Sequence, residues 1–293
     1  MLKIKHREGE LTLSKQPTKI MTKAQARMEA SRCLHCYWAS CMHGCLAGID
    51  VPKFIRRIAT EDYRGAAEVI RKDNPLGMIC AQICPQEQLC VSGKQCCHKL
   101  IGTGIQVNRL RTFVLEYTKL PSTKPEAARN KKVAIIGGDS SGLTAAAYLY
   151  ELGYSVTIYE KSKELGSIPQ SQIPAFQLDR KAAQAEISNL LGEAIRVRTG
   201  TNMDKPLAGD ILKNYDAVYI SALGQDSGNK LAEAFNLAVD TKDRVTVNSQ
   251  LQIENPCIFA GGDFINGDST VVQAVADGKK GAYSIHAYLQ SKD

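Results

Sequence analysis

The sequence predicts two units in series: an α-helical, cysteine-rich N-terminal domain and a parallel α/β domain. Three observations predict this. Nine of the ten cysteines lie between residues 33 and 97. The stretch Lys119–Asn130 holds two prolines among mostly polar residues, and the apolar period changes across it from helical to strand-like. Beyond it, Lys132–Glu160 reads as strand, glycine-rich turn, helix and strand. The expected boundaries are residues 1–118 for the helical domain, 119–130 for a linker and 131–293 for the α/β domain.

The helical signals come in order. Thr22 is placed to cap a helix that leads into Cys33. Pro52 suits a first helical turn, and Phe54, Ile55 and Ile58 share one face behind it. Tyr63–Lys72 repeats the pattern, and Val107–Tyr117 is a further amphipathic helix.

The cysteines fall in two bursts, Cys33, Cys36, Cys41 and Cys45, then Cys80, Cys84, Cys90, Cys96 and Cys97. Such density serves disulfides, zinc or iron–sulfur clusters. Disulfides belong to oxidising compartments, and the charged N-terminus shows no signal-peptide core, nor does any apolar run approach a membrane span. A cytoplasmic setting with reduced or metal-bound thiols is expected. Zinc usually takes two C-x2-C pairs, and only Cys33/Cys36 makes one. The crowded run resembles a ferredoxin-type ligand set, in which a tight loop supplies three thiolates and a distant segment returns the fourth.

Net charge is +7, carried by the cysteine-rich half, where 18 Lys/Arg face 10 Asp/Glu in residues 1–118. Nucleic acid is disfavoured as a partner, because the basic residues are scattered and the chain has one Trp and no stacking motif. Cations offset the negative charge of thiolate clusters and would steer an acidic electron carrier.

In the α/β half, Lys132–Gly137 is a buried strand, Gly137-Gly-Asp-Ser-Ser-Gly142 a turn, and Leu143–Leu152 a helix; Val156–Glu160 closes a βαβ unit of the Rossmann type. Glu160 sits where a carboxylate holds an adenosine ribose, with Lys161 after it. The fingerprint has a fault: position 139 is Asp where the middle glycine lets backbone approach a pyrophosphate. Ser140, Ser141 and the helix N-terminus remain as donors, and Asp139 either turns to solvent or caps the helix. A second anchor is Cys257–Asp263, a strand ending in Gly262-Asp263, followed by Thr270 and the helix Val271–Leu289. Asp263 stands where it would bond the ribityl chain of a flavin, or else closes a turn. Cys257 reads as a small buried hydrophobe.

These motifs, with Ala26–Cys36 and Ile79–Glu87, resemble the glutamate synthase small-subunit family. Its relatives are the N-terminal half of dihydropyrimidine dehydrogenase and the larger subunit of electron-bifurcating transhydrogenases. The resemblance implies an N-terminal domain with two 4Fe-4S clusters and an FAD-binding Rossmann-type domain. It places Cys33, Cys36 and Cys41 on one cluster. Lys94 stands at that cluster's fourth position, leaving Cys96 and Cys97 as substitutes. It places Cys45, Cys84 and Cys90 on the other, where Arg111 replaces a Glu or Gln ligand. Cys80 is read as a buried thiol or a substitute ligand. The cofactor contacts implied are Gly137, Gly138, Ser140, Ser141, Gly142, Glu160, Lys161, Gly224, Gly262, Asp263, Thr270 and Val271. The family's second dinucleotide domain, for NAD(P)H, is missing: only about 35 residues bridge Gly224 to the Gly-Gly-Asp motif.

The function expected is electron transfer within a multi-subunit oxidoreductase, through 4Fe-4S clusters and FAD, between partner redox subunits or a ferredoxin-like protein. The alternatives are an assembly subunit with a degenerate flavin site, or a flavoprotein with NADH in the single Rossmann slot.

Overall fold

The computed structural model describes residues 20–91, 101–122, 125–166, 173, 177–192, 195–221, 225–242, 244–267 and 269–292. Lys94, Cys96, Cys97 and Gly224 lie outside the described residues.

The N-terminal half is helical: α1 (Lys23–Ser31), α2 (Ser40–His43), α3 (Val51–Ala59), α4 (Tyr63–Asp73), α5 (Gly77–Ile83) and α6 (Val107–Tyr117). Local chemistry sets the starts. Thr22 and Gln25 form a reciprocal capping box on α1. Asp50 caps α3 with Pro52 in its first turn, and Asp62 caps α4. Phe54, Ile55, Ile58, Ile70 and Leu110 turn inward from α3, α4 and α6, each almost fully buried. Each contributes roughly 1.5–3 kcal/mol of transfer free energy.

The C-terminal half holds β1 (Lys132–Ile136), α7 (Ser140–Glu151), β2 (Ser155–Tyr159), α8 (Arg180–Leu191), β3 (Arg196–Arg198), α9 (Lys205–Asn214), β4 (Ala217–Ser221), α10 (Gln225–Phe235), β5 (Ile258–Gly261), α11 (Asp263–Asn266) and α12 (Val271–Gln290). The five strands are parallel in the order β3-β2-β1-β4-β5. A parallel sheet is covered on both faces, and this one is. Ala134, Ile136, Val218 and Ile220 pack beneath α9 and α10 with Ile211, Ala232 and Phe235. Val133, Ile135 and Tyr219 pack beneath α7 and α12, in an apolar core continuous with that of the N-terminal helices. Among the described residues, no helix is long and apolar enough to cross a membrane.

Polar contacts fasten the halves, among them the following. The Tyr148 hydroxyl on α7 donates to the Lys72 carbonyl at 2.8 Å. Lys279 on α12 pairs with Asp73 at 2.7 Å. Glu186 on α8 accepts from the backbone N–H groups of Met78 and Ile79 at 2.7 and 2.9 Å, and so caps α5 from the other half of the molecule.

Some elements differ from expectation. Helix α7 starts at Ser140, three residues before Leu143, because Asp139 caps it. Cys257, just before β5, is half-buried rather than fully buried; it packs against the core cluster beneath the sheet, with Sγ donating to Asn255 Oδ1 at 3.1 Å.

Candidate functional site

The thiols gather where the sequence bursts meet. Cys33, Cys36 and Cys41 line one small cavity of about 30 Å³, with Cys90 on its far wall and Val51, Pro52 and Ile55 of α3 closing it. Gly44 makes this possible. A Cβ there would come within 2.8 Å of Cys90 Cα and Leu89 O, so only glycine lets the Cys41–Cys45 turn lie on the Cys90 backbone. Cys45, Cys84 and Cys90 are mutual electrostatic neighbours, and Arg111 acts on the last two. Cys80, one turn before Cys84 on α5, is fully buried against Asn74.

Burial pushes the Cys33, Cys80, Cys84 and Cys90 thiols upward. Cys80 and Cys90 reach about 12, against the pull of Arg111. Cys84 and Cys33 rise in the same direction, again from burial first. Thiols held this way ionise readily only on binding a metal centre. None of the described cysteines is in a disulfide. Among the described residues no three His, Cys, Asp or Glu side chains converge tightly enough for one metal ion. A cluster body spans wider gaps between thiolates than a single zinc does. Arg111 supplies the fit test: it is 3% exposed, and its Nε and Nη2 have no partner among the described residues. A buried cation with unspent donors beside cysteines suits an anionic cluster.

The Rossmann slot is built as expected and then filled. Gly137, at φ +106°, passes so close to β4 that a Cβ would lie 2.0 Å from Ser221 O. Gly142 packs on Gly137 O in the same way. Glu160 receives the Gly138 N–H at 2.6 Å and the Ser162 N–H at 2.6 Å. Leu165 lies over Gly138, whose carbonyl accepts from the Gly166 N–H at 2.7 Å. The anion donors of α7 are occupied by its own cap. Asp139 Oδ1 accepts from Ser141 N at 2.9 Å and Gly142 N at 3.0 Å, and Ser221 Oγ donates to the same carboxylate. Burial pushes the Asp139 carboxyl above the usual range, while these hydrogen bonds pull it down. The Ser141 hydroxyl is turned to Tyr219 Oη at 2.7 Å and is not aimed at the slot. The glycines and Glu160 thus fit a dinucleotide, but a pyrophosphate meets donors already spent on Asp139.

The second anchor is likewise tied inward. Asp263 Oδ1 accepts from the Ser269 N–H and Oγ at 3.1 and 2.6 Å, closing the turn before α12. Thr270 caps α12, with Val271 half-buried in its first turn. Gly262, at φ +65°, lies against Ser141. Lys161 is exposed after β2, and Ser140 is buried at the start of α7. Two residues escaped the sequence reading. Asp277 receives the Gly262 N–H, Asn266 Nδ2 and Gln273 Nε2, and so holds the Gly-Gly-Asp loop to α12. Tyr219 fills the gap left by Gly261 and Gly281, where any Cβ would strike its ring.

Residues 11–122 match the family profile described as dihydropyrimidine dehydrogenase domain II, 4Fe-4S cluster. Residues 93–278 match that described as pyridine nucleotide-disulphide oxidoreductase. The NAD-dependent dihydropyrimidine dehydrogenase subunit PreT of Escherichia coli O157:H7 is 37% identical over 217 residues, or 73% of this chain and 52% of that protein. Its namesake from Escherichia coli K12 is 34% identical over 253 residues, or 84% and 61%. The chain thus spans between 52% and 61% of the length of these curated relatives. Among solved structures, THI4 of Thermovibrio ammonificans aligns at a TM-score of 0.42 and 19% identity over 55% of this chain and 90% of that one, too loosely to bear on chemistry. The two profile matches and the curated relatives agree with the resemblance carried by the cysteine and glycine motifs.

Proposed function

Because the chain belongs to the pyridine nucleotide-disulphide oxidoreductase family, joined to a dihydropyrimidine dehydrogenase-type 4Fe-4S domain, we propose that it is an electron-transfer subunit of a larger oxidoreductase. It relays electrons between partner subunits through two 4Fe-4S clusters, one on Cys33, Cys36 and Cys41, the other on Cys45, Cys84 and Cys90. The observation that carries this reading is the buried Arg111 guanidinium beside the second set of thiols, its Nε and Nη2 without partners among the described residues. FAD is the expected occupant of the Rossmann slot, held by Glu160 and the Gly137–Gly142 turn, and it enters in competition with the Asp139 carboxylate. A partner with an acidic face suits the basic N-terminal half.

The relatives' names include a pyridine nucleotide, yet only residues 222–257 separate β4 from β5 here, too short a stretch for a second nucleotide domain. Electrons therefore reach this chain from a partner that oxidises the primary donor. NADH in the single slot would meet the same Asp139 carboxylate as FAD.

A second reading has its own support. The hydrogen bonds at Asp139 favour an assembly subunit whose α/β half is structural and whose slot stays without flavin. The test is anaerobic purification followed by iron, sulfide, zinc and flavin counts per chain. About eight irons with one FAD support the full relay. Clusters without flavin leave a cluster-only relay, and zinc in place of iron overturns both.

A further inference from the structure

Arg111 is a cation in a place where resembling proteins offer a ligand. It comes from the buried face of α6, and its side chain reaches the Cys84 thiol while acting on Cys90 and Cys80. Its Nε and Nη2 are buried and without partners among the described residues. Glu186, a carboxylate within the reach of its charge, spends its oxygens on the Met78 and Ile79 N–H groups. A guanidinium keeps its charge at every working pH and has no lone pair for iron. Arg111 is thus unable to ligate, and its Nε and Nη2 donors stay unspent among the described residues while the side chain lies beside the Cys84 thiol.

We propose that the Cys45–Cys84–Cys90 cluster is bound by three thiolates, with one iron corner lacking a protein ligand among the described residues and Arg111 donating Nε–H and Nη2–H to the cluster's sulfides. This deepens the relay reading and rests on it. Three thiolates on an oxidised 4Fe-4S core leave a net charge of about −1, which the guanidinium offsets. Hydrogen bonds and positive charge at the sulfides favour the reduced state, so Arg111 makes this cluster the easier of the two to reduce. Cys80 is fully buried and its thiol is hydrogen-bonded to Asn74.

The open corner has a chemical signature. Ferricyanide takes one electron from the 4Fe-4S core, raising it from 2+ to 3+. The unligated corner then leaves as one Fe2+, and a 3Fe-4S core of charge 1+ remains. The experiment uses the full chain, reconstituted anaerobically, with a ferrous chelator and electron paramagnetic resonance. The wild type is expected to release one Fe2+ and develop one three-iron signal per chain. Arg111→Glu restores a carboxylate at the ligand position and is expected to suppress both. Arg111→Lys keeps the charge without a ligand and retains them. In a redox titration, Arg111→Gln is expected to shift one cluster to lower potential and leave the other in place.

A stable second cluster in the wild type, with no iron released, overturns the inference and indicates a fourth ligand such as Cys80 or Cys97. Equal iron loss from wild type and Arg111→Glu overturns it too. Failure of the relay reading looks different, because the chain then takes up no iron or sulfide at all.

Discussion

Ser221, the last residue of β4, donates its hydroxyl to the Asp139 carboxylate, with Oγ 2.5 and 2.7 Å from the two carboxylate oxygens. Ser221 also presents its carbonyl to Gly137, so one residue both shapes the glycine turn and secures the group that fills it.

Removing that carboxylate is expected to free the slot. Asp139→Gly restores the middle glycine of the fingerprint and releases the Ser141 and Gly142 N–H groups. The cap it removes is mild to lose, since glycine is itself tolerated at a helix N-cap. Relief of a like-charge contact on the order of 1–4 kcal/mol predicts FAD retention tightened by about fivefold or more. In the wild type FAD affinity should rise as pH falls, because the buried carboxyl then takes a proton, and Asp139→Gly should abolish that dependence. Flavin fluorescence titration checks both. Equal affinity of the two proteins at all pH values would sink the idea.

How much of this was legible in the sequence depends on the distance over which each contact acts. The Gly137–Gly142 turn, the Glu160 position and the cap at Thr22 are local, and local spacing announced them. The odd Asp139 was visible as a departure, but Ser221 as its partner was not, because the two lie 82 residues apart. Glu186 capping α5 across 108 residues leaves no local trace at all. Tyr219 is foreshadowed only by the glycines at 261 and 281, which say that something large sits nearby and not what it is.

Glu186 makes folding stability depend on pH. Burial pushes its carboxyl up to about 7, against the pull of two backbone N–H groups and the Arg111 charge. Cys80 is the other titratable group facing it. A folded-state pKa above the unfolded value of 4.5 means that the native state holds the extra proton between these limits. Its contribution is fully present below about 4.5 and is lost as pH rises through about 7. The loss is up to ~3 kcal/mol. Glu186→Gln should lower Tm near neutral pH by leaving one N–H of α5 poorly met, and should flatten the slope of Tm against pH in that window. Calorimetry at half-unit pH steps is the check, and an unchanged slope refutes it.

The two cysteines of α5 should separate cleanly. Cys80 is fully buried beside Asn74, whereas Cys84 is half-buried and faces Cys45 and Arg111. Cys80→Ala removes one sulfur from the core, costs about 1 kcal/mol of stability and should leave iron per chain unchanged. Cys84→Ala should cost about four irons per chain. Matching iron losses in both variants would place Cys80 among the ligands.

Gly44 offers the sharpest test that the two bursts of cysteine meet as built. Its missing side chain lets the turn between Cys41 and Cys45 rest on the Cys90 backbone, at 2.8 Å from where a Cβ would stand. The obstacles are main-chain atoms, Cys90 Cα and Leu89 O, which cannot rotate away as a flexible side chain would. Gly44→Ala must therefore move one segment off the other. Both thiol sets use that contact, because Cys41 belongs to the first cavity, Cys45 to the second set, and Cys90 borders both. The expected outcome is loss of iron from both clusters with the α/β half still folded. Far-ultraviolet circular dichroism should stay close to wild type while the broad cluster absorbance in the visible falls by more than half. Full retention of iron in Gly44→Ala would mean that the bursts do not depend on this approach.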